Sequence, residues 1–397
     1  MVASYRPRSC VTGPILVGAI AVVAASIQAV HSRCEVTAVW MGHRQPQPDE
    51  LTISWTTDHP EPSRVTYQEG NVWREIHDPQ PTMWHRLQIP LSDPTRPCPI
   101  RVFSGVTTTE VLFPGYPADG LRIAVVANWQ SRPDLSAILA NKPHLLLSAG
   151  DHVNNLHSAC GPGHAECVEP FLQLIRQYPE LFRRVPVLPV LGNHDREIRP
   201  RTTRPPEEPV YDIEARAFRR VFALPDAGWY WHFALPQSGL CIVGLDLNHI
   251  GDRGTTWQSC HDFGPDSEQF KWYKRIVTEN TMPFLITLHN EQNITMRSQY
   301  GGLWEQLFQK NTAIISGFGH FGECAVKDNV AYFNTSLQGK GDRYPDPRSE
   351  FLASEHNYLL MTINREPLSM IVQLKSLHGP TLYTWLGMVR TGGGNSR

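Results

Sequence analysis

Hydrophobic and polar positions follow two different rhythms along the chain. From residue 34 to about 117, short runs such as LTISWTT, SRVTYQEG and HRLQIPL alternate every second residue, with Asp, Pro and Gly between them. That is the pattern of half-buried strands in a small β-sandwich. After FPGYPADG (113–120) the rhythm changes. Apolar runs that end in polar residues, RIAVVAN (122–128), HLLLSAGD (144–151), VPVLPVLGNHD (185–195), FLITLH (284–289) and TAIISGFGH (312–320), read as buried strands. Helix-like stretches separate them: PDLSAILAN, VEPFLQLIRQYPELFRR, DSEQFKWYKRIVTEN and GLWEQLFQKN. Strands alternating with helices predict an α/β domain with buried sheets. WYWHFALPQSGLCIVGLDLN reads as a hairpin, and VAYFNTS and EHNYLLMTINREPLSMIVQLKS read as further paired strands. The expected organisation is a β-sandwich domain at 33–117, an α/β (α+β) domain at 121–376 and a C-terminal tail at 377–397 ending in TGGGNSR.

The first 32 residues stand apart. Arg6 and Arg8 precede a largely apolar run from Val11 to Val30, which fits a secretory signal. An uncleaved anchor is the alternative, since about 20 residues span a bilayer; Pro14, Ser26 and Gln28 weaken it. Export is therefore expected, with no stable membrane partner unless the signal is retained. It places the later cysteines in an oxidising compartment. Seven remain if Cys10 leaves, an odd number. Cys160 and Cys167 bound SACGPGHAEC, which a local disulfide closes; as a zinc site this loop, with His164, is one ligand short. The formal net charge of −2 offers no cationic excess for nucleic acid.

The chemistry gathers at strand ends. RIAVVAN ends in Asn128, HLLLSAGD in Asp151, FLITLH in His289, ISGFGH in His320, and VPVLPVLGNHD carries Asn193 and His194. Strand ends at one edge of a sheet are where α/β proteins assemble sites. Oxygen and imidazole donors suit a divalent cation. One such histidine is usually structural; a succession of them points to a ligand set.

AGDHVNN, LGNHD, ITLH and GFGHFG, in this order, resemble the calcineurin-like metallophosphoesterases, the purple acid phosphatases most of all. GLDLN and DSEQFKW before ITLH agree. The resemblance spans about 34 to 376. It implies a four-layer αββα sandwich after a fibronectin- or Ig-like β-sandwich, and two metals bridged by one aspartate. By resemblance, Asp151 is the bridge; Asn193, His289 and His320 hold the second metal. His194 contacts the phosphate or leaving group, and Asp195 follows it.

The other half of that site is degenerate. Asn128 stands where the family has an aspartate, Gln130 for the glycine or histidine two residues on, Asn154 for the tyrosine and Gly322 for the last histidine. A second cation at ~3.5 Å from the first, with Asp151 the only carboxylate, faces a repulsion of several kcal/mol. The expectation is one divalent metal (iron, manganese or zinc not distinguished), His194 as proton donor steadied by Asp195, and a phosphate ester or other anionic small molecule as substrate. His152, His157 and His261 read as loop histidines rather than replacement ligands. A pseudo-phosphatase that binds phosphate or another anion without turnover is the alternative. A two-histidine, one-carboxylate oxygenase from Asp151, His289 and His320 is the third reading, which the GNHD context disfavours. Substrate, oligomeric state and cleavage are not encoded legibly. Asn293-Ile-Thr295 and Asn334-Thr-Ser336 are glycosylation acceptors if the host glycosylates.

Overall fold

The computed structural model describes residues 34–226 and 228–387. The leader read at 1–32 and the closing TGGGNSR lie outside the described residues. The first sheet has five strands: β1 (Val36–Gly42), β2 (Glu50–Glu69), β3 (Val72–Pro90), β4 (Cys98–Ser104) and β5 (Thr107–Phe113), ordered β1-β2-β4-β5 with β3 along β2. LTISWTT and SRVTYQEG, read as separate runs, are the two halves of β2. Between them the register shifts around Glu61, where Pro60 and Pro62 cannot donate to the ladder. β1 pairs with the first half of β2 and β4 with the second.

β6 (Leu121–Val126), β7 (Leu145–Ser148) and β8 (Val187–Pro189) run parallel. A second sheet follows: β9 (Trp231–Leu235), β10 (Leu240–Gly244), β11 (Phe284–His289), β12 (Ala313–Ser316), β13 (Gly322–Lys327), β14 (Val330–Asn334) and β15 (Ser349–Ala353). Its order is β15-β13-β14-β12-β11-β10-β9, with β10, β11, β12 and β14 parallel. β16 (Asn357–Arg365), β17 (Leu368–Ser376) and β18 (Thr381–Gly387) return to the first of these sheets as β18-β17-β16-β6-β7-β8.

Alternation along the strands builds the layers. Ile123 and Val125 of β6 share a core with Ile242, Ile286 and Ile315 of the other sheet. Ala124 and Val126 point the opposite way, toward Phe171 and Phe218 of helices 169–177 and 216–221. Val243, Leu285 and Ile314 pack on Phe270, Tyr273 and Trp304 of helices 268–279 and 293–308. The result is helix, sheet, sheet, helix. Trp55, Ile100 and Val111 of the N-terminal sheet join the same central core, so the buried face of the stretch 33–117 is continuous with it. His43 fixes that junction, with its ring nitrogens 2.7 Å from the Glu50 carbonyl and 2.7 Å from the Tyr116 hydroxyl.

Several expectations need correction. The tail read at 377–397 contains β18, an edge strand whose Tyr383 and Trp385 pack on the core. The helix of GLWEQLFQKN is the second part of 293–308, where non-helical Gln299 to Gly302 interrupt the turns. Cys160 and Cys167 form the expected disulfide, with Cα atoms 6.0 Å apart, while Cys34, Cys98, Cys241, Cys260 and Cys324 are buried thiols. Both glycosylation sequons are buried: Asn293 donates to the Phe333 carbonyl and Asn334 to the Phe321 carbonyl. Among the described residues no helix is long and apolar enough to cross a membrane.

Candidate metal centre

Each predicted strand-end residue lies at or just beyond the carboxyl end of a parallel strand. Asn128 follows β6, Asp151 follows β7, Asn193 and His194 follow β8, His289 ends β11 and His320 follows β12. The loops of the two sheets are stitched together there. Asn290 Nδ2 donates to the Ala149 carbonyl at 2.7 Å, and Leu337 N donates to the Ala127 carbonyl at 2.9 Å. Gly317 approaches so closely that a Cβ would sit 2.2 Å from the Ala149 oxygen.

Asp151 is buried and held at φ 57°, a left-handed conformation that surrounding structure must impose. Its Oδ1 accepts from the His194 N–H at 3.3 Å, and a side chain at Gly192 would collide with that oxygen. Burial pushes the carboxyl up, against the pull of the His194 charge. His289 is fully buried, and neither ring nitrogen has a hydrogen-bond partner of good geometry. Burial lowers it to about 3, so it is a neutral donor at any physiological pH. Asn193 is buried and opens the short turn His194–Arg196. His320 is partly exposed; its backbone N–H donates to the Asp342 carbonyl at 2.9 Å.

His194 was expected to lean on Asp195, and it does not. Asp195 is fully buried and accepts from the Asp151, His152 and Gly192 N–H groups and from the His152 ring. It ties the two loops together and is consumed doing so. Sequence adjacency says nothing about side-chain direction, and in this turn the two point apart. His194 Nδ1 instead lies 2.6 Å from the Asn154 carbonyl and 3.1 Å from Glu197 Oε2. Burial disfavours the imidazolium, yet the Asp151 charge and the Glu197 hydrogen bond outweigh it and hold His194 at about 9. Glu197 also faces His157 at 3.5 Å. Its only sequence signal was an acid three residues after His194. His152 serves Asp195, and His261 bonds the buried Asp246–Arg196 pair, so both are structural.

Two of the degenerate positions, Asn128 and Asn154, are committed to other bonds. Asn128 Nδ2 donates to the Gly317 and Gly319 carbonyls, each at 2.9 Å, clasping the loop that carries His320. Gly322 lies inside β13, where a Cβ would already meet Asn357 and Leu374 at 3.0 Å. Asn154 is exposed and contributes its backbone carbonyl; Gln130 has a buried Oε1 without a partner. Among the described residues no three His, Cys, Asp or Glu side chains stand close enough to hold a cation by themselves. The retained half keeps donor types, imidazole, carboxylate and amide, of the kind that suit a divalent ion.

A sequence profile of the calcineurin-like phosphoesterases matches residues 121–320. No curated protein matches the chain in sequence. Among solved structures, the purple acid phosphatase PPD1 from yellow lupin (Lupinus luteus) seeds is similar at TM-score 0.63 and 13% identity, over 88% of this chain and 73% of that one. GAP50, the anchor in the inner membrane complex of Plasmodium, reaches TM-score 0.42 and 14% identity, over 69% and 90%. The NAD nucleotidase NadN of Haemophilus influenzae reaches 0.35 and 12%, over 68% and 54%. At such identities the lupin likeness concerns the fold.

Proposed function

Because the chain belongs to the calcineurin-like phosphoesterase family, we propose that it hydrolyses a phosphate ester with one divalent cation held by Asp151, Asn193, His289 and His320. A cation bound there supplies an acidified water and polarises a phosphoryl oxygen. The chain's own groups do the rest. His194, kept protonated by Asp151 and Glu197, donates a proton to the leaving oxygen. Asn154 and Glu197 hold its Nδ1, leaving Nε2 to meet the ester. Asp195 and Asn290 keep the loops of β7, β8 and β11 in register.

One observation carries the reading: His289 is a fully buried imidazole whose nitrogens make no hydrogen bond of good geometry, the Glu291 backbone being the polar group it approaches, a costly state for a merely structural histidine. Replacing it with alanine is expected to remove both cation retention and turnover of a generic phosphate monoester; full activity in His289→Ala would discard the mechanism. Export is part of the proposal, supported by the 1–32 run and by the disulfide, which belongs to an oxidising compartment. Fractionation of cells expressing the chain with and without residues 1–32 tests it.

The second reading, a phosphate-binding protein without turnover, draws on the Asn128 clasp, which commits a former ligand position to structure. Calorimetric phosphate binding with no hydrolysis would favour it.

A further inference from the structure

One rim beside the candidate centre is built from π faces, and nothing in the proposed hydrolysis uses them. Phe318 sits between Gly317 and Gly319, the two residues whose carbonyls Asn128 clasps. Its ring centroid is 5.3 Å from that of Tyr344 and 6.2 Å from that of His249. Tyr344 is 45% exposed and Phe318 is partly exposed, so neither ring is enclosed by the protein. His249 adopts φ 44° on the loop after β10 and acts electrostatically on Asp151, which places it on the site side. Behind it the Arg201 guanidinium lies 3.4 Å from His249 Nδ1, pairs with Asp252 at 2.9 Å and covers the Trp257 ring at 4.4 Å.

We propose that this rim selects phosphate esters whose alcohol carries a flat aromatic ring, seated against Phe318 and Tyr344 beside His249. The proposal rests on the reading of the site as one for phosphate esters. Offset or edge contacts between aromatic rings are favoured over contacts with saturated groups because of their quadrupoles. A planar ring against one or two such faces gains on the order of tenfold or more in affinity. Arg201 contributes by holding His249, whose backbone is in a sparsely populated conformation. A saturated or purely polar alcohol would leave the Phe318 and Tyr344 faces wet and gain nothing from them.

Calorimetry on the full chain with non-hydrolysable phosphonates reads this without requiring turnover. Phenylphosphonate is expected to bind about tenfold tighter than methylphosphonate and severalfold tighter than cyclohexylphosphonate, which matches its bulk without a π face. In Phe318→Ala/Tyr344→Ala the phenyl preference should fall to within about twofold. Phe318→Leu, which keeps apolar bulk and guards against misfolding, should narrow the phenyl-over-cyclohexyl gap. Adenosine 5′-monophosphate against ribose 5-phosphate then separates a nucleoside ring from an aryl ring next to the phosphorus; a preference in either pair supports the proposal. Equal binding of phenyl and cyclohexyl compounds with no adenosine preference, or a preference untouched by the double substitution, overturns it while methylphosphonate binding leaves the phosphate site standing. No phosphonate or phosphate binding at all removes both.

Discussion

The two halves of the candidate metal centre occupy the same seam between the sheets, yet most of their side chains are in different states. Around the retained half, polar atoms are poorly satisfied: His289 is buried with no hydrogen bond of good geometry, and Asp151 is forced into a left-handed backbone. Around the emptied half, positions are mostly spent. Asn128 gives both its amide hydrogens to carbonyls, Asn154 lends its backbone to His194, and Gly322 is packed into a strand. Unsatisfied buried groups are expensive and satisfied ones are structural. The difference separates side chains left poorly satisfied from side chains committed to structure.

The largest expected effect comes from the retained half. Asp151→Ala should lower turnover by at least about a hundredfold, because it removes the only motif carboxylate that can face a cation; kcat and metal retention measured together would show both losses. Next is an attempted restoration. Asn128→Asp removes two N–H donors and sets a carboxylate against two carbonyls, so it should cost roughly 2–4 kcal/mol in urea unfolding and recruit no second metal. A stable variant holding two metals would erase the contrast between the halves.

Smaller effects test the supports. Serine at Cys160 and Cys167 should cost roughly 2–3 kcal/mol, the loop-closure contribution of so short a ring, and more in stability than in activity. The matching check is reductant titration of the parent chain, which should reproduce the loss. In the metal-free protein His194 is raised from 6.5 to about 9, so the folded state holds its proton more tightly than the unfolded one. The stabilisation this brings is complete below pH 6.5 and is lost as pH rises through 9. Glu197→Gln should move the upper edge of that window down without moving the lower, as seen by melts across pH 6 to 10.

FLITLH was legible in full because all six residues of β11 are buried and its last side chain is the ligand candidate. The alternation of apolar runs and helices made the buried α/β sheets legible, while the four-layer order came only from the family resemblance. β18 was missed because LYTWLG alternates only weakly at an edge, with one face half wet. The continuity of β2 through Pro60 and Pro62 was hidden because proline usually ends a strand. Residue roles within the turn at Asn193 to Glu197 were the least legible. Asp195 and Glu197 carry the same charge, and only the direction of each side chain decides which meets His194. The buried sequons at Asn293 and Asn334 make the same point: a motif says nothing about accessibility.

Metal content per chain tests the contrast between the halves most directly. Protein purified without residues 1–32 and dialysed after exposure to manganese, zinc and iron should retain about one ion by plasma mass spectrometry, and His289→Ala should retain none. Two ions per chain, or one that survives the loss of His289, would contradict it.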